Sequence, residues 1–274
     1  TCLIFLLVAR QIYPYAGVMV AEIADGYEQE TIATGLGGPT CLVFDEDLLL
    51  VCDRDGGRIV TIDGDVLLSG LDHPHGMLLL DDAVIISEEG KLTRYDSNFE
   101  NPTILVDGIP SKNHQTNAVN ILPNGTLIWH SGSTCNHCEE DDYRNAALLW
   151  VNATTGEHGV LATGVRNSFD GVWVDGIGYL FSDNGQDTKG DDFPNEEINL
   201  LVEGGEYGWL TESVSDPNPE GTEAPVATWT PHTSVNGMTT RPANLPGDNH
   251  TVYATVYGSW ATILPKGHQI LKID

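Results

Sequence analysis

The sequence is poor in positive charge, with 12 Lys and Arg residues against 40 Asp and Glu residues and a formal net charge of -28. A surface of this sign repels nucleic acids and anionic membranes, so we expect neither as a partner. The charge does not indicate disorder, because 41% of the residues are hydrophobic and six are Trp. An acidic surface with so little Lys is instead typical of a halophilic protein.

The sequence also lacks an apolar run long enough to cross a bilayer. The nine-residue run TCLIFLLVA, followed by Arg10, has the length of the apolar region of a secretory signal. We therefore predict a leader or signal remnant over residues 1–25, with a buried strand as the alternative. This interpretation predicts a secreted, periplasmic or cell-surface protein that could be anchored to a membrane only through the leader.

Cysteine is scarce, with five residues in the chain. Cys135 and Cys138 have the spacing of half a zinc site, but no second pair with suitable spacing is present. We favour a loop disulfide between these two residues over free thiols and over a metal site. Cys41 and Cys52 lie in strand-like sequence, and we interpret them as buried free thiols.

Long segments with helical periodicity are absent, and the chain repeats a Gly-rich turn followed by short apolar runs. The copies begin near Gly35, Gly70, Asn113 and Gly164, and in the segment SVNGMTTRP. Repeats of roughly 35 to 70 residues that each hold three or four strands are typical of a β-propeller. We predict an all-β propeller over residues 26–274 with about five blades, and a Pro-rich surface excursion at 211–231.

The fourth copy contains a dense group of acidic residues. Its members are Asp183, Asp187, Asp191, Asp192, Glu196, Glu197, Glu203 and Glu206. So many carboxylates repel one another unless cations or solvent screen them, and calcium prefers carboxylate and carbonyl oxygens. The loop therefore predicts a calcium site. A solvated acidic surface is the alternative for Asp187, Asp191 and Asp192, whereas the position of Glu197 beside INLL favours a ligand.

Several motifs together resemble one known family. They are GLDHPHG at 70–76, His114-Gln115 followed by PNGTL and SGSTCN, GVRN at 164–167, SDNGQD and DDFPNEEIN in the acidic loop, GGEYGW at 204–209, NGMT at 236–239 and YGSW at 257–260. This set is similar to the soluble pyrroloquinoline-quinone (PQQ)-dependent glucose and sorbosone dehydrogenases, and most similar to the sorbosone branch. The resemblance implies a six-bladed propeller that uses PQQ and Ca²⁺ to oxidise an aldose or related sugar to a lactone or acid, with an external electron acceptor.

The resemblance also implies a difference from the family. Members carry a further blade after the segment that here reads QILKI, and its arginines hold the carboxylates of the quinone. This sequence ends at Asp274. We therefore expect a fragment whose propeller is truncated before the last blade.

The resemblance implies roles for individual residues. His114 precedes a predicted strand, where a propeller would present it at the channel mouth, and it corresponds to the catalytic base. Arg166 corresponds to a catalytic cation that stabilises negative charge on the quinone. The implied cofactor contacts are Gln115, Arg166, Asn167 and Lys266.

The implied calcium ligands form two groups. One ion would bind the carbonyls of Gly185 and Gln186 and contact the quinone, and a second would be held by Glu196, Glu197 and the Tyr207 region. We interpret Trp209 as a core residue. We interpret His73, His75 and His232 as structural residues near the channel mouth.

Two other functions remain open. One is a non-catalytic binding propeller stabilised by calcium, and the other is a lactonase-like hydrolase in which a metal-bound water attacks the substrate. The sequence has no phosphate-binding Gly loop, nucleophile elbow or HExxH motif. Their absence disfavours a nucleotide cofactor and serine hydrolysis.

Overall fold

The computed structural model describes residues 23–259, 262 and 266–274. Across these residues, 19 strands form five antiparallel sheets and no helix is present. The predicted all-β propeller with five blades is confirmed. None of these residues belongs to a helix with the length and hydropathy of a membrane span. The predicted leader lies almost wholly outside the described residues.

Each blade is a short meander in which every strand pairs with its neighbours in sequence. Blade 1 contains β1 (Pro39–Asp45), β2 (Leu48–Asp53), β3 (Arg58–Thr61) and β4 (Val66–Ser69). Blade 2 contains β5 (Gly76–Leu80), β6 (Ala83–Glu88), β7 (Lys91–Asp96) and β8 (Thr103–Val106). Blade 3 contains β9 (Thr116–Ile121), β10 (Leu127–Ser131), β11 (Ala147–Val151) and β12 (His158–Thr163).

The last two blades complete the described part of the ring. Blade 4 contains β13 (Gly171–Val174), β14 (Gly178–Asp183), β15 (Glu196–Leu200) and β16 (Ala227–Trp229). Blade 5 contains β17 (Val235–Thr240), β18 (Val252–Val256) and β19 (Gln269–Ile273). The predicted excursion at 211–231 therefore supplies the outer strand of blade 4 near its end, because Glu196 to Ile198 pair with β16.

The hydrophobic cores lie between successive blades, because the sheets of blades 2 to 4 pack against a neighbour on both faces. On β6, Val84 and Ile86 pack in a cluster with blade 1, whereas Ile85 packs in a cluster with blade 3. On β10, Trp129 packs toward blade 2 and Ile128 toward blade 4. Alternate side chains of a strand point to opposite faces. A strand buried on both faces therefore reads as a continuous apolar run, as these do in the sequence.

The first strands of successive blades contact one another around the hub, in the order β1, β5, β9, β13 and β17. The contact between β5 and β9 is close enough to require Gly76. A Cβ atom at that position would lie 2.9 Å from both Ala118 Cα and Val119 N. Backbone meets backbone here, so a larger residue would push blades 2 and 3 apart.

The structure corrects one cysteine prediction and confirms another. Cys41 and Cys52, predicted as free thiols, form a disulfide. They lie on the paired strands β1 and β2 next to a bulge, with their Cα atoms 5.0 Å apart, which suits a disulfide. Cys135 and Cys138 form the loop disulfide that the sequence favoured.

Candidate active site

The candidate site lies at the end of the hub where the loops that precede the first strands meet. In a propeller the first strands of all blades run in the same direction, so these loops gather at one end. His75 precedes β5, His114 and Gln115 precede β9, and Arg166 and Asn167 precede β13. The architecture therefore brings together residues that are far apart in the sequence.

His114 is held in the form that a general base requires. Its Nδ1 lies 3.1 Å from the carbonyl oxygen of Ser133 and 2.8 Å from Ser133 Oγ. The Ser133 hydroxyl donates to the carbonyl of Cys135 at 2.7 Å, so its oxygen accepts from the ring. Nδ1 therefore carries the proton and leaves a lone pair on Nε2. Burial, followed by the positive charge of Arg166, lowers the pKa of His114 to about 3 and keeps the ring neutral.

Gln115 and Asn167, which precede β9 and β13, have amide donors without a partner among the described residues. The Nε2 of Gln115 is buried and makes no hydrogen bond within the described chain. Asn167 accepts at Oδ1 from Asn117, whereas its Nδ2 donates to none of the described residues. A buried donor without an acceptor is costly, so the Gln115 amide in particular fits a ligand with exposed oxygen atoms.

Arg166 is buried and uses all five of its N–H donors within the protein. Its Nη1 donates to the carbonyls of Asn184 at 3.1 Å and Gly185 at 2.7 Å. Its Nη2 donates to Asn136 Oδ1 and to Asp187, each at 2.9 Å, and its Nε donates to the carbonyl of Asn136 at 3.3 Å. A guanidinium has five donors, so a ligand oxygen must replace one of these acceptors. The charge still acts on the site, because it helps to lower the pKa of His114.

A small cavity next to Arg166 is bordered by carboxylates. Its volume is about 10 Å³, close to that of one water molecule or one metal ion. Its walls are formed by Arg166, Asp183, Gly185, Asn195, Glu197, Tyr207, Trp209 and Glu212. Asp183 and Glu197 are directly opposite each other on β14 and β15, which places both carboxylates on one face of the sheet. We name Asp183, Glu197 and Glu212 the carboxylate cage.

The electrostatics of the carboxylate cage favour a cation. Burial and then the charge of Glu197 raise the pKa of Asp183 to about 8. Burial raises the pKa of Glu197 to about 7, with Glu212 adding to the shift. Burial and then the charge of Asp183 raise the pKa of Glu212 to about 7, although Lys189 opposes the increase. Each carboxylate therefore resists ionisation next to the others, and a divalent cation would remove that penalty.

The predicted calcium ligands have different surroundings. Glu197, Gly185 and Tyr207 border the cavity. The Tyr207 hydroxyl is bound to the backbone of Leu200 and Val202, so the residue could offer only its carbonyl, which accepts no hydrogen bond from the described residues. The carbonyl of Gly185 already accepts from Arg166.

Two further predicted ligands lie outside the cavity wall. Glu196 accepts from the backbone amides of Gly185, Thr233 and Ser234, so its contacts give its predicted ligand role no support. Gln186 has a buried Oε1 without a partner in the described chain. That oxygen is a further acceptor on the residue that follows Gly185, a member of the cavity wall.

Lys266 and His232 hydrogen-bond to backbone carbonyls of the acidic loop. Lys266, the predicted cofactor contact, donates to the carbonyl of Asp191 at 2.7 Å. His232 is buried, with Nε2 2.7 Å from the carbonyl of Gly190 and 3.2 Å from that of Phe193. Trp209 is buried and donates from Nε1 to Asn136.

Three solved structures match the chain over most of its length. The calcium structure of a Trichoderma reesei carbohydrate-active enzyme of family AA12 is 19% identical with a TM-score of 0.76, and the match covers 91% of this chain and 80% of that chain. The holo form of the pyranose dehydrogenase PQQ domain from Coprinopsis cinerea is 18% identical with a TM-score of 0.76, over 92% and 79%. The PQQ-bound aldose sugar dehydrogenase from Streptomyces coelicolor is 22% identical with a TM-score of 0.65, over 83% and 76%.

This chain has the propeller fold of sugar dehydrogenases. The resemblance predicted from the motifs is therefore confirmed at the level of the fold. A protein from Borreliella burgdorferi, described as uncharacterized, is 30% identical over 171 residues, which cover 55% of this chain and 43% of that protein. The match thus spans less than half of that relative. No protein-family model matches the chain.

Within the sugar-dehydrogenase fold, two members of the carboxylate cage were not among the ligands predicted from the sequence. Asp183 resembles the other acids of the loop in sequence, and only the pairing of β14 with β15 shows that it faces Glu197. Glu212 lies in the Pro-rich excursion, where nothing in the sequence separates it from a surface acid. His75 was interpreted as structural; its ring is buried beside Phe169 and Asn117, and burial lowers its pKa to about 4.

Proposed function

We propose that this chain carries the catalytic end of a PQQ-dependent sugar dehydrogenase that contains calcium. The observation that carries the proposal is the arrangement at the hub: a neutral His114 with a free Nε2 lone pair lies close to the buried cation Arg166. The matches to a pyranose dehydrogenase PQQ domain and to a PQQ-bound aldose sugar dehydrogenase support it.

The chain offers suitable groups for the quinone. Gln115 Nε2 and Asn167 Nδ2 are donors without acceptors among the described residues, and they suit the carbonyl and carboxylate oxygens of PQQ. Arg166 supplies a positive charge in a buried position, where it is weakly screened. When bound, PQQ supplies the hydride acceptor.

The chain's own residues perform the acid–base part of the reaction. His114 Nε2 takes the proton of the sugar hydroxyl, because Nδ1 is committed to Ser133 and the ring is neutral. The charge of Arg166 favours negative charge that develops nearby. The low pKa of His114 keeps the base available from mildly acidic to alkaline pH.

Calcium has a structural part in this proposal. The carboxylate cage and the carbonyl of Tyr207 supply oxygen ligands of the type that Ca²⁺ prefers. Asp183 also accepts from the backbone amides of Arg166 at 2.9 Å and Asn167 at 2.7 Å. An ion in the cage would therefore stabilise the backbone that presents the cofactor contacts.

Reconstitution tests the proposal. Metal-stripped protein receives PQQ and Ca²⁺, and dye reduction is followed with a panel of aldoses. We expect sugar-dependent reduction, and we expect His114→Ala to lower turnover about 10²- to 10⁴-fold, the usual contribution of a general base. His250→Ala, at an exposed position, serves as the control with unchanged turnover. Absence of reduction in the wild-type protein, or full activity of His114→Ala, would refute the proposal.

A further inference from the structure

The loop between β10 and β11 carries a residue that contacts the site from another blade. Asn136 lies inside the ring closed by the disulfide of Cys135 and Cys138. Its Oδ1 accepts from Arg166 Nη2 at 2.9 Å, and its carbonyl accepts from Arg166 Nε at 3.3 Å. Two of the five donors of the guanidinium are thus held by this one residue.

Asn136 also connects Arg166 to two other parts of the site. Its Oδ1 accepts from the amide of Asp187 at 2.8 Å, and its Nδ2 donates to the carbonyl of Asp187 at 3.1 Å. Its carbonyl accepts from Trp209 Nε1 at 3.1 Å. Only an amide side chain of this length can accept from two donors and donate to a carbonyl here. An Asp at this position would lose the donor.

The same loop also fixes His114. The carbonyl of Cys135 accepts a hydrogen bond from the Ser133 hydroxyl, which orients Ser133 Oγ to accept from His114 Nδ1. The amide of Ser133 donates to the carbonyl of Arg166 at 2.8 Å. One short segment therefore contacts both reactive groups.

We propose that Asn136, held in place by the disulfide between Cys135 and Cys138, is a positioning residue that sets the orientation of Arg166 relative to His114. The proposal rests on the proposed function, because it assigns Asn136 to the same site. The disulfide limits the conformations open to the loop, so the hydrogen bonds of Asn136 form with little loss of entropy. Opening the disulfide should therefore weaken the same hydrogen bonds without removing any of their atoms.

The test compares Asn136→Ala with Asn124→Ala. Asn124 lies in an exposed turn, where its Oδ1 accepts from the amide of Thr126 at 3.0 Å. We measure solvent exchange of the Arg166 guanidinium N–H groups by NMR, above all of Nη2–H, whose acceptor is the Asn136 side chain, and turnover with PQQ, Ca²⁺ and sugar. In Asn136→Ala we expect exchange of Nη2–H at least about 10-fold faster, because the side-chain oxygen that accepts from it is removed. Turnover should fall about 10- to 100-fold, as for a misplaced catalytic group.

A second pair of variants keeps Asn136 in place and guards against a folding defect. Cys135→Ser with Cys138→Ser opens the loop, and Cys41→Ser with Cys52→Ser removes the disulfide of blade 1 as the matched control. Below the unfolding temperature of each variant, only the variant without the Cys135–Cys138 disulfide should show faster exchange of the Arg166 guanidinium protons and lower turnover.

The outcomes separate the two proposals. Unchanged exchange in both folded Asn136→Ala and the opened loop overturns the positioning role, whether or not the wild-type protein turns over sugar. Faster exchange together with an inactive wild-type protein supports the positioning of Arg166 and refutes the dehydrogenase function. Equal effects of the two cysteine pairs on exchange would also overturn the proposal.

Discussion

A substitution in the carboxylate cage should have opposite effects on protein stability without and with calcium. Glu197→Gln removes one negative charge from a position directly across from Asp183. Without a divalent cation, this charge opposes folding, so we expect the substitution to stabilise the protein. With calcium bound, the same carboxylate is a ligand, so we expect the substitution to destabilise it. Gln can still accept the hydrogen bond that Asn199 donates to Glu197 Oε2 at 3.1 Å.

The magnitude follows from the pKa of Glu197, which is raised from 4.5 to about 7. At about 1.4 kcal/mol per pKa unit, ionising the group in the folded protein costs up to about 3 kcal/mol. The side chain is partly exposed, so solvent reduces this value, and we expect a gain of about 1 to 3 kcal/mol at pH 8 in EDTA. For a chain of this size, each kcal/mol corresponds to a change in Tm of roughly 2 to 4 °C.

The pH dependence of stability predicts the sign of the Glu197 effect independently. Because folding raises the pKa of Glu197, the folded metal-free protein binds the proton more tightly than the unfolded chain does. The contribution of this group to stability is therefore complete below pH 4.5 and is lost as the pH rises through about 7. We expect the stabilisation by Glu197→Gln in EDTA to be small at pH 4.5 and to grow toward pH 8.

Thermal unfolding at pH 4.5 and pH 8, with EDTA or with Ca²⁺, measures all of these effects. Glu203→Gln provides the control, because it removes the same charge from an exposed position in blade 4. It should change Tm by little in either buffer. A loss of stability in Glu197→Gln with EDTA at pH 8, or an effect of the same sign in both buffers, would refute the reasoning about the cage.

Three other predictions concern the fold. Burial lowers the pKa of His130 to about 3, so its contribution to stability is present above pH 6.5 and is lost as the pH falls. His130→Gln should therefore reduce the difference in unfolding free energy between pH 7 and pH 4.5 by about 2 to 3 kcal/mol, as measured by urea unfolding. Replacing Cys41 and Cys52 by Ser should lower the unfolding free energy by about 2 to 3 kcal/mol, and an unchanged Tm would contradict the disulfide. Gly76→Ala should destabilise the protein by about 1 to 3 kcal/mol, whereas Gly237→Ala, at a less crowded position of a first strand, should change Tm little. Equal effects of the two substitutions would contradict the close backbone contact between β5 and β9.

The repeat of Gly-rich turns and apolar runs was sufficient to predict the fold because each blade is local in sequence. All strand pairs within a blade join neighbours, so strand lengths and turns specify the sheets without long-range information. The disulfide between Cys41 and Cys52 was missed because it depends on which residues of β1 and β2 face each other. A bulge near Pro39 shifts that register, and the sequence has no signal for it.

The site was predictable only where one residue type determines the chemistry. The family resemblance singled out His114 and the charge density singled out the acidic loop, whereas the cage depends on strand register and on a distant excursion. The sequence also could not show that Arg166 has no free donor. Its five acceptors come from Asn136, Asn184, Gly185 and Asp187, which belong to loops of two blades.

The pairing of strands with their neighbours also determines how the chain can fold. Closing a short loop costs little entropy, so each blade can form soon after its own residues are available. One described hydrogen bond is of a different kind: the hydroxyl groups of Tyr27 and Tyr253 lie 2.9 Å apart, although 226 positions separate them in the chain. This hydrogen bond can form only after blade 5 has assembled. It therefore belongs to the late steps of folding.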